Sequence, residues 1–191
     1  MDQARLEDVA DMAAIESRWN LNLLPQSAMA ETGGLSGLHG EHGLRELLLN
    51  REVCCLISRF NAQLTGYLLA YSKFLSQKLI PCVSKEYAPA HAVWNTSYMY
   101  VKAVVVCPEY TGTGIGTTLL HAFRGMAQKA GCHFALTRIA VAPQANARSL
   151  RLFARVLHAE EIDRRYEPSC DIMWGLFVSE KLQADRAYRL R

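Results

Sequence analysis

The sequence predicts an α/β fold in which helices flank a central, mostly antiparallel sheet. Two runs rich in β-branched, aromatic and aliphatic residues, 53–60 and 64–75, are separated by a short polar segment, which is typical of an antiparallel hairpin. The longest β-rich run, 97–106, leads through a glycine-rich turn into a segment whose apolar residues recur every three or four positions, as in a helix packed on a sheet. Two more β-rich runs, 160–166 and 170–178, follow a second helical segment and complete the expected sheet.

The composition limits the classes to which the chain can belong. Half of the 191 residues are hydrophobic and 20% are charged, as in an ordinary globular protein, and the length suits one domain over residues 1–191. No apolar run approaches the roughly 20 residues of a membrane helix, and the opening MDQARLEDVA lacks the apolar core of a signal peptide. The formal net charge is +3 and the basic residues are scattered. We therefore expect a cytoplasmic protein that binds neither membranes nor nucleic acids.

Cysteine and histidine spacing gives no sign of a metal site. The six cysteines include no C-x-x-C pair, and the six histidines form no i, i+4 helical pair. Four of the cysteines lie in apolar stretches, where a free thiol behaves as a small hydrophobic group. We predict no bound metal and no disulfide.

The first half of the chain is predicted to hold two helices, the hairpin and two long loops. Apolar residues at helical spacing, with acidic residues in the first turn, predict a helix over 6–19. A stretch with Pro25 and five glycines predicts a long loop with room for a short helix, before a second helix at 44–51. Residues 76–96 contain two prolines and no periodicity, and two interpretations stay open: a functional lid or substrate wall, or a surface insertion.

The second half alternates strands and helices. Residues 97–106 are predicted to form a central strand, because their β propensity is high. The strand is expected to end at the proline that follows, because proline has no backbone N–H to donate to a neighbouring strand. An apolar stripe predicts a helix from the glycine-rich turn to Gly131. A strand over 133–142 follows, and Asn146 then opens a helix over 146–157.

The glycine-rich turn is the strongest functional signal. Gly112, Gly114 and Gly116 stand at alternate positions where a strand passes into a helix, although a glycine inside a helix costs about 1 kcal/mol relative to alanine. Amides in the first turn of a helix have no internal partner and lie at the positive end of the helix dipole, so bare backbone there can bind an anion. The pattern predicts a phosphate or pyrophosphate site; the alternative is a tight turn packed on the sheet. Its spacing fits neither a dinucleotide fingerprint nor a Walker loop.

Three segments resemble a known superfamily. VVVCPEYTGTGIGTTLL, residues 104–120, is similar to motif A of the GNAT superfamily of N-acetyltransferases. RLEDVADMAAIE, residues 5–16, resembles the first helix of many members, and NARSLRLFARVLHAEEIDR, residues 146–164, resembles motif B. The order and spacing match over nearly the whole chain. The resemblance implies a splayed central strand pair and the direct transfer of an acetyl group from acetyl-CoA to an amine.

The resemblance also implies the residues that bind acetyl-CoA. The backbone of the central strand would hold the acyl and pantetheine part, the turn amides and the Thr117 hydroxyl would bind the pyrophosphate, and the motif B helix would flank the pantetheine arm and the thiol. These three groups are Val104, Val105 and Val106; Thr111, Gly112, Thr113, Gly114, Ile115, Gly116 and Thr117; and Asn146, Ser149 and Phe153. Asn146 has a second interpretation, as a simple helix N-cap.

The sequence departs from the family pattern at several positions. Thr111 and Thr113 stand where basic or amide side chains are frequent, and Phe153 stands where many members use a tyrosine to protonate the departing thiolate. The family's opening strand is short or missing. These departures keep open a second function of another class, a non-catalytic acyl-CoA sensor or interaction module of the same fold.

Tyr100 and Lys102 are the candidate catalytic residues. Strand alternation predicts that both share one face with Tyr98 and Val104, toward the acceptor pocket, at positions where related enzymes often keep a base. Tyr100 would relay a proton or act as the acid, and Lys102 would serve as base if it were desolvated; otherwise both are wall residues. The amide of Val104 or Val106 is the expected oxyanion donor. The acceptor is not readable from the sequence, and a homodimer is one open assembly, because dimers are common in related families.

Overall fold

The computed structural model describes residues 1–19, 39–80, 91–168 and 170–182. The strands are β1 (Asp2–Gln3), β2 (Val53–Phe60), β3 (Gln63–Ser72), β4 (Tyr98–Val106), β5 (Phe134–Ala142), β6 (Glu160–Glu167) and β7 (Ile172–Val178). The α-helices are α1 (Val9–Ser17), α2 (Gly40–Leu49), α3 (Lys73–Leu79), α4 (Ile115–Lys129) and α5 (Ala147–Leu157). Short 3-10 helices cover Leu6–Asp8, Ala92–Asn95 and Pro108–Tyr110.

The strands form one sheet of seven in the order β1-β2-β3-β4-β5-β7-β6. Every neighbouring pair is antiparallel except β4 and β5, which are parallel. The predicted mixed, mostly antiparallel sheet is thus confirmed, and β4 lies at its centre as expected. The opening strand β1 is only two residues long.

Each face of the sheet carries its own hydrophobic core. On one face, α1 and α2 pack through residues such as Met12 and Leu44, together with Tyr67 and Tyr100 of the sheet. On the other face, α4 and α5 pack through residues that include Phe123 and Phe153. We call these the α1 face and the α4 face.

The central strands β4 and β5 separate along their length. Their ladder joins residues 98–101 to residues 134–137 and then ends, although both strands continue. Beyond this point, β4 pairs only with β3 and β5 only with β7 in the described sheet. The splayed strand pair that the family resemblance implied is therefore present. We call the opening between residues 102–106 and 138–142 the split.

A β-bulge in β4 changes which side chains share a face. Leu69 lies opposite Ala103 and Ala70 lies opposite Val101, so Lys102 is the extra residue. Tyr98 and Tyr100 lie in the core of the α1 face, as do Ala103 and Val105, whereas Val104 packs on the α4 face. The prediction that Tyr98, Tyr100, Lys102 and Val104 share one face was wrong, because the inserted residue reverses the alternation.

Two element boundaries also differ from the prediction. The expected strand 64–75 ends at Ser72, whose hydroxyl accepts a hydrogen bond from the Leu75 amide at 3.2 Å and caps α3. Lys73 and the residues after it are therefore helical rather than extended or irregular. The second helix begins at Gly40, four residues earlier than expected. The two predicted long loops, 23–43 and 76–96, lie partly outside the described residues, which leave out 20–38 and 81–90. Among the described residues, no helix has the length and apolar character needed to span a membrane.

Candidate functional site

The glycine-rich turn connects the end of β4 to α4. After the 3-10 turn Pro108–Tyr110, the chain reverses through Gly112 and Gly114, whose φ angles are +83° and +92°. Gly114 is the N-cap of α4 in the left-handed conformation, which side chains other than glycine rarely adopt. Backbone conformation thus explains two of the three glycines.

Gly116 is explained by its surroundings. It has no positive φ angle, and an added Cβ would lie 3.4 Å from Leu152 Cδ2, 3.7 Å from Val104 Cγ1 and 3.8 Å from Val106 Cγ2. The bare backbone therefore leaves a small cradle where α4, α5 and the end of β4 meet. A methyl group would fill this cradle without a clash.

The turn offers five amides for an incoming anion. Within the part of the chain that the structure describes, these amides donate to no carbonyl or side chain; they belong to Gly112, Gly114, Ile115, Gly116 and Thr117. The Thr111 amide donates to the Pro108 carbonyl at 3.1 Å and the Thr113 amide to the Tyr110 carbonyl at 3.3 Å. The expected continuous row of amides from 111 to 116 is thus interrupted at two positions, because these two close the preceding turn.

Three threonines of the turn make different contacts. Thr113 Oγ1 donates to the Tyr110 carbonyl at 2.6 Å, and Thr117 Oγ1 accepts from Arg155 Nη2 at 2.7 Å. Thr111 Oγ1 is buried and has no hydrogen-bond partner among the described residues. A buried hydroxyl without a partner is uncommon.

The end of β4 presents backbone groups to the split. The Cys107 amide donates to Thr65 on β3 at 2.8 Å. Because backbone groups along a strand point alternately to either side, the amides of Val104 and Val106 face the split and that of Val105 faces β3. The Trp19 indole N–H donates to the Val106 carbonyl at 2.8 Å. The Thr137 hydroxyl donates to the Val101 carbonyl at 3.0 Å and closes the narrow end of the split.

Motif B residues form α5, of which Leu152 borders the cradle. Asn146 Oδ1 accepts from the Ser149 amide at 3.0 Å, so the N-cap interpretation of Asn146 is confirmed. The side-chain nitrogen Nδ2 of Asn146 takes no part in this cap. Phe153 is 5% exposed within the core of the α4 face. A phenyl ring there has no proton to donate.

Cys107 is not suited to nucleophilic chemistry. Its thiol donates to Glu109 Oε2 at 2.8 Å, and Arg18 pairs with the same carboxylate. Burial and the neighbouring carboxylate raise the pKa of the Cys107 thiol. The Arg18 guanidinium and the Cys107 thiol hold the pKa of Glu109 at about 2.

Tyr100 lies on the α1 face, away from the turn. It is 4% exposed, and its ring stacks on that of Tyr71 with 6.4 Å between centroids. Tyr100 comes directly before Val101, the last residue of β4 that pairs with β5. The candidates Tyr100 and Lys102 therefore flank the point where the split begins, although they do not share a regular face.

A buried polar cluster on the α1 face has no counterpart in the sequence prediction. Glu16 is 2% exposed and accepts hydrogen bonds from Tyr67 OH at 2.6 Å, from His39 Nδ1 at 3.0 Å and from the His39 amide at 3.0 Å. Burial alone would raise the pKa of Glu16, but the hydrogen bonds from His39 and Tyr67 outweigh it and lower the pKa below its ordinary value. In the sequence, Glu16 was only one polar residue of a predicted helix, and His39 lay in a predicted loop.

The arrangement suits an extended ligand that ends in linked phosphates. The five turn amides that have no acceptor among the described residues, together with the positive end of α4, can bind the phosphates. The cradle at Gly116 leaves room for a chain that leads into the split. The amides of Val104 and Val106 provide donors there. Among the described residues, no three His, Cys, Asp or Glu side chains are grouped to hold a metal ion.

Comparison with known sequences agrees with this geometry. A profile of the Acetyltransferase (GNAT) family matches residues 32–159. No curated protein sequence shows significant similarity to the chain.

Solved structures share the fold. The ribosomal-protein-S18-alanine N-acetyltransferase from Escherichia coli superposes with a TM-score of 0.63 at 13% identity, over 100% of this chain and 97% of that one. An N-acetyltransferase from Staphylococcus aureus Mu50 has a TM-score of 0.64 at 14% identity, over 95% and 97% of the two chains. The PaiA N-acetyltransferase from Thermoplasma acidophilum, in complex with coenzyme A, has a TM-score of 0.60 at 10% identity, over 94% and 96%. These likenesses confirm the predicted fold.

Proposed function

Because the chain belongs to the acetyltransferase (GNAT) family, we propose that it transfers an acetyl group from acetyl-CoA directly to an amine. The observation that carries the proposal is the set of five turn amides at the start of α4 that donate to no group of the described residues, at the mouth of the split between β4 and β5. In a turn with only a structural role, these amides would donate to other groups of the protein, or they would face solvent with no cradle beside them. Coenzyme A complexes of proteins with this fold support the same ligand class.

The turn and the split would hold acetyl-CoA at its two ends. The amides of Gly112, Gly114 and the first turn of α4 would bind the pyrophosphate, with the Thr117 hydroxyl beside them. The backbone of Val104 and Val106 would bind the pantetheine arm as an added strand does. Asn146 and Ser149 would lie along the same arm from α5. The amide of Val105 is directed to β3 and contributes less than the sequence predicted.

The bound coenzyme would supply an activated acetyl thioester. An amide of Val104 or Val106 would donate to the carbonyl oxygen as negative charge develops on it. Phe153 has no proton for the departing thiolate, so the thiolate would leave unassisted and take its proton from water. Thiolates are stable enough to leave without an acid, since a thiol has a pKa of about 8.5.

The acceptor would approach from the α1 face, because the turn that binds the phosphates leads into α4, so the coenzyme would lie on the α4 face. Tyr100 and Lys102 stand at the start of the split on this approach and remain our candidates for proton transfer or for the acceptor wall. The acceptor is an amine; a polyamine, an amino acid, an antibiotic and a protein N-terminus all satisfy the chemistry.

Two measurements on the purified protein test the proposal. Calorimetry with CoA should show binding, and a thiol assay should show release of CoA from acetyl-CoA in the presence of one or more amines from these four classes. Binding without thiol release for any amine would favour the non-catalytic sensor, for which Phe153 is the favouring observation. The absence of CoA binding would overturn both functions.

A further inference from the structure

Glu16 and His39 form a carboxylate–imidazole pair on the side of the sheet from which an acceptor would approach. Glu16 belongs to α1, and His39 precedes α2, both of which cover the α1 face. The phosphate-binding turn belongs to α4 on the opposite face. The pair is therefore separate from the coenzyme site and lies across the sheet from it.

The hydrogen bonds fix the tautomer of His39. An ionised carboxylate only accepts hydrogen bonds, and Glu16 lies 3.0 Å from His39 Nδ1, so Nδ1 carries the hydrogen. The second ring nitrogen, Nε2, is then free to accept a proton when the ring is neutral. Glu16 would stabilise the imidazolium that forms, in the way that an acidic residue supports a histidine base in hydrolases.

A tyrosine links His39 to the split. Tyr71 OH lies 3.5 Å from His39 Nε2, and the Tyr71 ring stacks on Tyr100, its cross-strand partner in β4. Tyr100 in turn adjoins the last residue that pairs β4 with β5. A path of polar and aromatic groups thus runs from Glu16 through His39 and Tyr71 to the beginning of the split.

A structural role alone explains this arrangement poorly. A buried carboxylate is costly and gives little net stability even when it is paired. One hydrogen bond from Tyr67 and one from the His39 amide would already satisfy much of Glu16, yet the ring of His39 is also aligned on it. The His39 side chain is 18% exposed, so its ring is within reach of solvent and of a ligand.

We propose that His39 is the general base for the acceptor amine, with Tyr71 relaying the proton and Glu16 positioning the ring. This inference rests on the proposed acetyl transfer. The uncharged amine nitrogen attacks the thioester carbon, so that a C–N bond forms and the C–S bond breaks. The surplus amine proton passes to the Tyr71 oxygen, while the Tyr71 proton passes to His39 Nε2. The thiolate takes a proton from water and His39 returns one to water, which leaves the amide and free CoA.

The relay avoids an ionised tyrosine. Burial and the charge of Glu16 raise the pKa of Tyr71 to about 12, so its phenol gives up one proton only as it receives another. Among the described residues, the titratable groups that face this cluster are Glu16 from α1, Cys55 from β2, Tyr67 and Tyr71 from β3, and Tyr100 from β4.

The test is the pH dependence of kcat/KM for acetyl transfer to any amine that the wild-type protein accepts. His39→Gln should lower kcat by roughly 100-fold, the usual size of a general-base contribution, and remove an ionisation from the kcat/KM profile. KM for acetyl-CoA should stay unchanged. Tyr71→Phe, which keeps the ring packed on Tyr100, should lower kcat in the same direction. Added imidazole should restore part of the activity of His39→Ala.

Tyr67→Phe is the matched control, since it also removes a tyrosine hydroxyl of β3 from the Glu16 cluster but lies off the proton path. It should keep the ionisation that His39→Gln removes from the kcat/KM profile and lose less kcat than Tyr71→Phe, because Glu16 keeps both of its hydrogen bonds from His39. The inference is wrong if His39→Gln and Tyr71→Phe keep the wild-type pH profile and lose no more activity than Tyr67→Phe. Tyr71→Phe settles the matter even where a His39 variant fails to fold. A wild-type protein that turns over no amine contradicts the proposed function as well, so the two failures are distinguishable.

Discussion

Arg155 on α5 donates a hydrogen bond to the Thr117 hydroxyl in the first turn of α4, with 2.7 Å between Nη2 and Oγ1. This contact places a cation beside the positive end of a helix dipole, which is unfavourable without an anion nearby. No carboxylate of the described residues forms an ion pair with Arg155, and Arg148 and Arg151 lie on the same side of α5 by helical spacing. The phosphates of CoA would supply the missing negative charge, and Arg155 would replace the charge that Thr111 and Thr113 lack.

Arg155→Ala should weaken CoA binding by about tenfold, equivalent to about 1.4 kcal/mol, because a charge-assisted hydrogen bond to phosphate is lost. Calorimetry at two salt concentrations measures the effect, which should shrink at the higher one. Arg45→Ala, an exposed arginine of α2 on the other face of the sheet, is the control and should bind CoA as the wild type does. An equal affinity for Arg155→Ala and the control would remove Arg155 from the site.

Gly116→Ala should separate coenzyme binding from stability. The added methyl group would meet Leu152 Cδ2 at 3.4 Å, an ordinary contact, so thermal unfolding should stay close to that of the wild type. The same methyl group fills the cradle and should weaken CoA binding. Gly125→Ala in the same helix has nothing within 4 Å of the new Cβ, and it should raise stability by about 0.5–1 kcal/mol with unchanged CoA affinity. Unchanged affinity in Gly116→Ala would place the coenzyme elsewhere.

Phe153→Tyr should raise kcat, since a phenol at the thiol end would protonate the departing thiolate. Without the coenzyme, the new hydroxyl would be buried and should reduce stability by about 1–3 kcal/mol. Phe123→Tyr is the matched control, because Phe123 is fully buried in the same core and should only lose stability. A thiol-release assay compares the two variants. A decrease in kcat for both would argue against Phe153 at the thiol end.

Glu16→Gln should make the protein less stable at neutral pH and flatten its acid dependence. The folded-state pKa of Glu16 is lowered below 4.5, so its stabilisation is complete above the unfolded-state value and is lost as the pH falls through the lower, folded-state value. The difference in free energy of unfolding between wild type and Glu16→Gln should thus narrow below pH 4.5. Urea titrations from pH 3 to 8 measure it, with the exposed Glu46→Gln as control. A constant difference across this range would contradict the ionised, paired state of Glu16.

The parts of the site that follow from local backbone chemistry were predictable from the sequence. Gly112 and Gly114 adopt the positive φ angles for which glycine is suited, and α4 starts directly after them. The central position of β4 followed from its long β-branched run, and the Asn146 cap followed from its place before an apolar stripe. The prediction failed at Ser72, where a side-chain cap outcompeted the strand propensity of the next residues.

By itself, the sequence determined the order of the long strands and of the helices other than α3, the glycine-rich turn and the family, because these depend on propensity, periodicity and short-range spacing. Only the tertiary structure decided the faces of β4, since the bulge at Lys102 arises from its register with β3. The tertiary structure also brings Glu16 into contact with His39, 23 positions away in the sequence, and Thr117 into contact with Arg155, 38 positions away. Such contacts are set by how the helices pack on the two faces of the sheet, and no local pattern in the sequence encodes that packing.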